Sequence, residues 1–154
     1  GEGGYYGRCF INVRGREPNG IVPLEDYEAL CGELTARLEA LPDHEGRPMG
    51  TRVYRPQDIY RKVNGVPPDL IVLFGDLRWR SVGTVGNPDI YTFENDTGPD
   101  DANHAQMGMY TLTHASLPAR GRVDGPSLYD VAPTILSMLR VPIPGDMIGK
   151  AINA

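Results

Sequence analysis

The chain has 154 residues and a formal net charge of −5, with 40% hydrophobic and 23% charged residues. These proportions are typical of a globular protein, and a negative charge without any basic run argues against a nucleic-acid-binding surface. No stretch approaches the roughly 20 apolar residues that span a bilayer, and the first residues lack the apolar core of a secretory signal. We therefore expect one domain, 1–154, in the cytoplasm, with no nucleic-acid partner and no membrane segment.

The first half of the chain predicts alternating strands and helices. Residues 8–13 are rich in β-formers and predict a strand. Residues 24–41 carry apolar side chains at helical spacing and predict the clearest helix of the sequence. A short strand is expected at 51–55 and a short helical turn directly after it. The continuous apolar run at 70–74 is typical of a strand that is buried on both faces of an α/β sheet.

The second half is less regular. Residues 76–103 show no periodicity and predict a long loop or a weak hairpin, and such loops are often functional. A strand is expected at 107–113 and a second helix at 127–140. Asp130 is a candidate cap for that helix, and Pro133 fits within its first turn. This order of elements indicates the α/β class.

The two cysteines, Cys9 and Cys31, favour two buried reduced thiols over a disulfide. Cys9 lies in a strand-like run and Cys31 on a helix face, and no export signal accompanies them.

The chain lacks the common signatures of nucleophilic, phosphate-loop and zinc-pair sites. Of its three histidines, His44 is expected to be a solvated loop residue and His114 a satisfied or surface residue. His104 follows a group of acids and precedes an apolar segment, so it can be a metal ligand, an acid–base group or an ordinary loop residue. Spacing alone favours the ordinary residue, since metal sites need several convergent ligands. The acids upstream are Glu94, Asp96, Asp100 and Asp101, and turn formation explains most of them.

Arg14 and Arg16 could bind an anion, but solvated side chains or a local ion pair with Glu17 are favoured.

The tail adds a family resemblance. The stretch SLYDVAPTILSMLRVPIPGDMIGKAI, which holds Asp130–Leu136 and Pro142–Gly149, resembles the C-terminal signature of the alkaline phosphatase superfamily. Within it, the likeness is to the type I phosphodiesterases and nucleotide pyrophosphatases. Upstream, INVRGREPNGIV is similar to the segment that follows the family's Asp-His metal motif, and PDLIVLF is similar to its next strand. The resemblance covers nearly the whole chain.

The resemblance implies a fold, a metal site and a substrate class. The fold would be the C-terminal portion of a three-layer sheet with helices on both faces. His104 and Gly108 match a His-x-x-x-Gly form that leads into a strand, which implies that His104 is a ligand of a two-metal site, with zinc as the expected divalent metal. The parent protein would then hydrolyse small-molecule phosphate esters, because the metal pair activates the attacking group and neutralises phosphoryl charge.

The departures from the family pattern matter as well. The family's nucleophilic Thr or Ser and its other Asp and His ligands lie N-terminal to the matched region, and Ala102-Asn103 replaces a common Gly before the histidine. We therefore expect a C-terminal fragment with no catalytic residue of its own, inactive alone, binding no metal tightly and self-associating through a sheet edge or an apolar face. Substrate-binding residues are unknown. The alternatives are a non-catalytic α/β binding module and other branches of the superfamily, such as sulfatases and phosphomutases.

Overall fold

The structure is a computed structural model that describes residues 4–83, 85–94, 102–113 and 121–152. It consists of an N-terminal unit, Gly1–Gly108, and a C-terminal unit, Met109–Ala154. The described residues form a mixed α/β protein with a small antiparallel sheet and a few helices, so the predicted α/β class is confirmed.

The sheet belongs to the N-terminal unit and has three strands, β1 (Gly7–Cys9), β2 (Arg52–Tyr54) and β3 (Leu70–Leu73). Their order is β1-β3-β2, and both pairs are antiparallel. β3 takes the centre because its apolar run can be covered on both faces, and its residues 70–72 are buried. The predicted strands at 51–55 and 70–74 are confirmed, whereas β1 is shorter than the predicted 8–13.

Helix α1 (Tyr27–Glu39) covers this sheet and is preceded by a 3-10 turn at Leu24–Asp26. Its apolar face packs on a core formed by Ile11, Val13, Cys31 and Leu70. The predicted helix at 24–41 is thus confirmed. The short helix α2 (Pro56–Ile59) lies where a helical turn was expected.

Both cysteines are free thiols, and Cys31 is buried whereas Cys9 is half-buried. Burial raises the pKa of the Cys9 thiol, which keeps it protonated at neutral pH.

The C-terminal unit is built on helix α3 (Val131–Met138), which a 3-10 turn at Leu128–Asp130 precedes. The helix predicted at 127–140 is confirmed, with Pro133 in its first turn. Many apolar side chains of this unit are exposed, including Leu128 (87%) and Leu139 (67%). No helix in the described ranges has the length and apolar character needed to cross a bilayer.

The strand predicted at 107–113 is wrong, because this described segment contains neither strand nor helix. Met107 and Met109 are 88% and 95% exposed, so these side chains of the apolar run do not enter a core. A strand is stable only with a hydrogen-bonded partner, which local sequence does not reveal.

A buried carboxylate joins the pieces of the N-terminal unit. The Asp69 side chain, 4% exposed, precedes β3 and accepts two hydrogen bonds from the Arg16 guanidinium at 2.6 and 2.8 Å. It also accepts the Ile11 N–H at 2.6 Å and the Tyr27 hydroxyl at 2.7 Å. Burial by itself raises the pKa of Asp69, but these donors outweigh it and hold the pKa below its usual range. Burial and the bond to Asp69 raise the pKa of Tyr27 to about 12.

We predict that Asp69→Asn lowers the free energy of unfolding at pH 7 by about 2–3 kcal/mol, measured by urea titration with circular dichroism. Removing one partner of a buried pair typically costs about 3–5 kcal/mol. The smaller value is expected because the Arg16 guanidinium is 45% exposed and water can solvate it in the variant.

The same variant has a defined pH dependence. The pKa of Asp69 is lower in the folded protein than in the unfolded chain. Its contribution to the free energy of unfolding is therefore complete above the unfolded pKa of about 3.9, and it is lost as the pH falls through the folded pKa. The difference between the two proteins should therefore shrink below about pH 4. The matched control is Glu33→Gln, which breaks an exposed pair with Arg37 and should cost less than about 0.5 kcal/mol. Equal effects of both variants at pH 7 would contradict the assignment.

Candidate functional site

A strained turn follows the central strand. Gly75, Asp76 and Leu77 have φ values of 57°, 55° and 72°, which lie in the left-handed region. A side chain at position 75 would also meet the Trp79 ring, with Cβ only 2.9 Å from Cδ1, so glycine is required there. Asp76 and Leu77 carry a Cβ, which disfavours a positive φ. Non-glycine residues keep this backbone conformation only where contacts with the surrounding structure stabilise it. Backbone strain of this kind makes the turn a candidate for a functional role.

The strained turn holds the segment that contains His104. The Asn103 side chain donates from Nδ2 to the Leu77 carbonyl oxygen at 2.5 Å. The Gln106 side chain donates from Nε2 to Asp76 Oδ1 at 3.0 Å. The left-handed backbone therefore presents one carbonyl and one carboxylate that fix residues 103–106 beside the end of β3.

His104 lies between these two attachment points. Its backbone N–H donates to Asn103 Oδ1 at 2.9 Å, and its ring meets the Tyr5 ring edge-on with centroids 4.0 Å apart. The Tyr5 ring in turn lies under the Arg80 guanidinium, 5.6 Å from its centroid. The imidazole is exposed, and none of the described residues hydrogen bonds to its ring nitrogens. An exposed imidazole on a fixed backbone can coordinate a metal ion.

The charges around this turn are mixed. Asp76 lies 3.7 Å from Arg52 Nε, and hydrogen bonding to Tyr54 together with the charge of Asp76 raises the pKa of Arg52. Glu94 is exposed. The three aspartates expected to crowd His104, which are Asp96, Asp100 and Asp101, lie outside the described residues. Within the described part of the chain, no three His, Cys, Asp or Glu side chains converge as a metal site would require.

The other histidines and the arginine pair have ordinary positions. His44 is exposed in its loop, as predicted. Its ring packs beside those of Trp79 and Phe93, with ring centroids 5.5 and 5.0 Å apart. His114 lies outside the described residues. Arg16 forms an ion pair with Glu17 at 2.6 Å, as predicted. Its guanidinium also binds the Asp69 carboxylate, so it is engaged within the protein and is not a site for a bound anion.

The tail that carries the family resemblance is organised by Asp130. Its Oδ2 accepts the Ser127 N–H at 2.7 Å, and its Oδ1 accepts the Lys150 N–H at 2.7 Å. These two backbone donors lower the pKa of Asp130. The prediction that Asp130 caps α3 is wrong, because its side chain makes no hydrogen bond to the first N–H groups of the helix. It instead binds the backbone of Ser127, before the 3-10 turn, and a backbone group 20 residues further along the chain.

Thr134 and Gly149 complete this connection. The Thr134 hydroxyl donates to the Asp130 carbonyl at 2.6 Å and accepts the Ile152 N–H at 2.8 Å. A side chain at Gly149 would place Cβ 2.0 Å from the Tyr129 carbonyl oxygen, so the chain can return here only as glycine. The residues that match the signature thus have a direct structural use, which is to fold the tail back onto the start of α3.

A comparison of the chain with family models, with curated proteins and with solved structures finds no significant match.

Sequence reasoning missed Asn103, Gln106 and Asp76 as the supports of His104. The only local signal was the Gly-Asp pair directly after the apolar run, which is typical of a turn but does not name the side chains that the turn binds.

We predict that Thr134→Val raises the amide hydrogen-exchange rate of Ile152 by about tenfold, because the hydroxyl that accepts its N–H is replaced by a methyl group. Exchange measured by NMR checks this. Ser137→Ala, an exposed site on the same helix, is the matched control and should leave the rate unchanged. Equal rates in all three proteins would show that the hydrogen bond does not hold the tail.

Proposed function

We propose that this chain is the C-terminal part of a metal-dependent phosphoric ester hydrolase of the phosphodiesterase or nucleotide pyrophosphatase type. In this proposal His104 supplies one ligand to a two-metal site, and its substrate is a small-molecule phosphate ester. The nucleophile and the remaining ligands belong to residues outside this chain. The finer description of the fold, as part of a three-layer sheet with helices on both faces, belongs to the same proposal.

The observation that supports the proposal most directly is that His104 has an exposed side chain on a restrained backbone. Its imidazole is exposed, and its backbone is fixed by a hydrogen bond to Asn103 and by the attachment of Asn103 and Gln106 to the turn after β3. A metal ligand needs a restrained backbone and an accessible ring nitrogen. An ordinary loop histidine needs neither, nor a strained turn to hold it.

The described residues do not form a complete metal site by themselves. A zinc site needs three or four protein donors, and the described part of the chain brings no three candidate donors together. His104 therefore fits the role of one contributing ligand and not that of a whole centre. The function of this chain would be to position that ligand.

The tail supports the proposal in a second way. Three residues of the tail match the signature, namely Asp130, Thr134 and Gly149. Each of them helps to place the C-terminal segment against the start of α3. The residues that carry the resemblance therefore make structural contacts in this protein, which supports the proposal.

We predict that His104→Ala, in the full-length protein that this proposal implies, lowers hydrolysis of bis(p-nitrophenyl) phosphate by at least about 100-fold and reduces bound zinc. Losing one ligand of a metal pair removes both affinity and charge stabilisation. Rates are measured with added zinc, and metal content by mass spectrometry of the dialysed protein.

The matched control is His44→Ala, which removes another exposed loop histidine of the same unit. It should leave both the rate and the metal content unchanged. Wild-type rate and zinc content in His104→Ala would reject the ligand role and favour a non-catalytic binding module or a different branch of the superfamily.

The isolated chain is proposed to self-associate. The two edge strands, β1 and β2, have only three residues each, which makes edge pairing weak. The C-terminal unit instead exposes apolar side chains around α3, among them Leu128, Ile135 and Leu139. Exposed apolar groups of this number favour association, and a symmetric dimer is the commonest closed form.

We predict a dimer at high micromolar concentration in light scattering of the purified chain. The double substitution Leu128→Lys and Leu139→Lys should give a monomer, because charge opposes burial of this face. Ile21→Lys changes an exposed apolar residue of the N-terminal unit (71% exposed) and should leave the dimer intact. A wild-type monomer would contradict the prediction.

A further inference from the structure

A cavity of about 440 Å³ lies in the N-terminal unit, and its lining does not include His104, Asn103 or Gln106. Its volume falls within the range of about 300–1,000 Å³ that small-molecule sites occupy. Its walls are residues of the 41–49 segment, the 79–82 segment and the 85–92 loop. The apolar side chains that line it are Leu41, Met49, Phe74, Trp79, Ile90 and Tyr91.

Leu41 and Met49, which line the cavity, flank a rigid turn at residues 42–48. Pro42 and Pro48 form a backbone bridge, and Asp43 Oδ1 accepts the N–H groups of Glu45 and Arg47, each at 2.9 Å. The Asp43 N–H also donates to the Arg47 carbonyl at 2.7 Å. This network restrains the turn between the lining residues Leu41 and Met49 before any ligand arrives, which reduces the entropic cost of binding.

A hydrogen bond joins the opposite loop, residues 85–92, to the 42–48 turn. The Tyr91 hydroxyl donates to the Pro42 carbonyl oxygen at 2.5 Å, so the 85–92 loop is held at a defined distance from the turn. Asp89 and Ile90, its neighbours, are exposed, so the core does not bury this loop. This hydrogen bond therefore fixes the lining residue Tyr91, and the loop that carries it, beside the turn.

The aromatic walls select the shape of a ligand. Trp79 meets Tyr91, His44 and Phe93 at interplanar angles of 58°, 55° and 60°, so none of these rings stacks flat on it. A planar aromatic ligand can stack in an offset arrangement on the Trp79 indole, a contact that these tilted rings do not make.

The polar lining selects the charge. Arg80 and Asp89 both line the cavity, and their opposite charges leave no net preference for an ion. Asn87 and Thr92 supply neutral hydrogen-bonding groups, while the Ser81 hydroxyl is already bonded to the Gly4 backbone. A neutral ring that carries one donor or acceptor matches this combination better than an anion does.

We propose that this cavity is a binding site for a neutral, planar aromatic molecule of one or two fused rings. The inference does not depend on the metal site, and its failure leaves the proposed function untouched.

The test uses 5-fluoroindole as the probe and the whole chain as the receptor. Trp79 is the single tryptophan of the sequence, so its indole N–H gives one NMR signal that reports directly on the cavity. Saturable movement of this signal, with matching broadening of the fluorine resonance, is expected. A shift that stays linear up to the solubility limit would overturn the proposal.

Variants locate the binding. Tyr91→Ala removes a wall and the hydrogen bond to Pro42, and it should weaken binding by at least about tenfold. Phe93→Ala is the matched control, because Phe93 touches Trp79 without lining the cavity, and it should bind the probe normally. If Tyr91→Ala does not fold, Ile90→Asp, which changes an exposed lining residue, should weaken binding instead. Equal binding by wild type and Ile90→Asp would overturn the assignment.

A charged probe tests the predicted class. Indole-3-acetate has the same ring system with a carboxylate, and it should bind more weakly than 5-fluoroindole. Tighter binding of the acetate would show that the site selects anions, and the proposal of a neutral ligand would fail.

Discussion

The N-terminal unit depends on one buried carboxylate that gathers donors from three separate segments. Asp69 binds the backbone after β1, the arginine of the 14–17 turn and the hydroxyl at the start of α1. Without these donors its charge would be costly to bury, and with them it fixes where β3 begins. The antiparallel register of β3 with β1 follows from that starting point, and β2 pairs with the opposite edge of β3.

This connection links the core to the site. The turn after β3 binds residues 103 and 106, and the exposed imidazole of His104 lies between them. The same turn leads directly to Trp79, which forms a wall of the aromatic cavity. Two candidate sites of different chemistry thus share one support, and strain in the Asp76 and Leu77 backbone is the local cost of it.

Local patterns predicted much of the fold, because helical periodicity and apolar runs depend on neighbouring residues. Helix α1, strand β3 and helix α3 are all of this kind. The role of Asp69 was not predictable, since its donors lie 42–58 residues away in the chain. The strand at 107–113 failed for the complementary reason, because an apolar run becomes a strand only where a partner strand pairs with it. His104 was singled out by the family resemblance, whereas its supports depend on a left-handed turn that propensities do not reveal.

We propose that His104 coordinates a metal ion in the longer protein to which this chain would belong. Diffraction data collected at the zinc edge from crystals of that protein test it most directly, because anomalous scattering locates the metal without reference to activity. We expect a zinc peak about 2.0–2.1 Å from a ring nitrogen of His104. Zinc bound elsewhere, with the His104 ring free of metal, would contradict it.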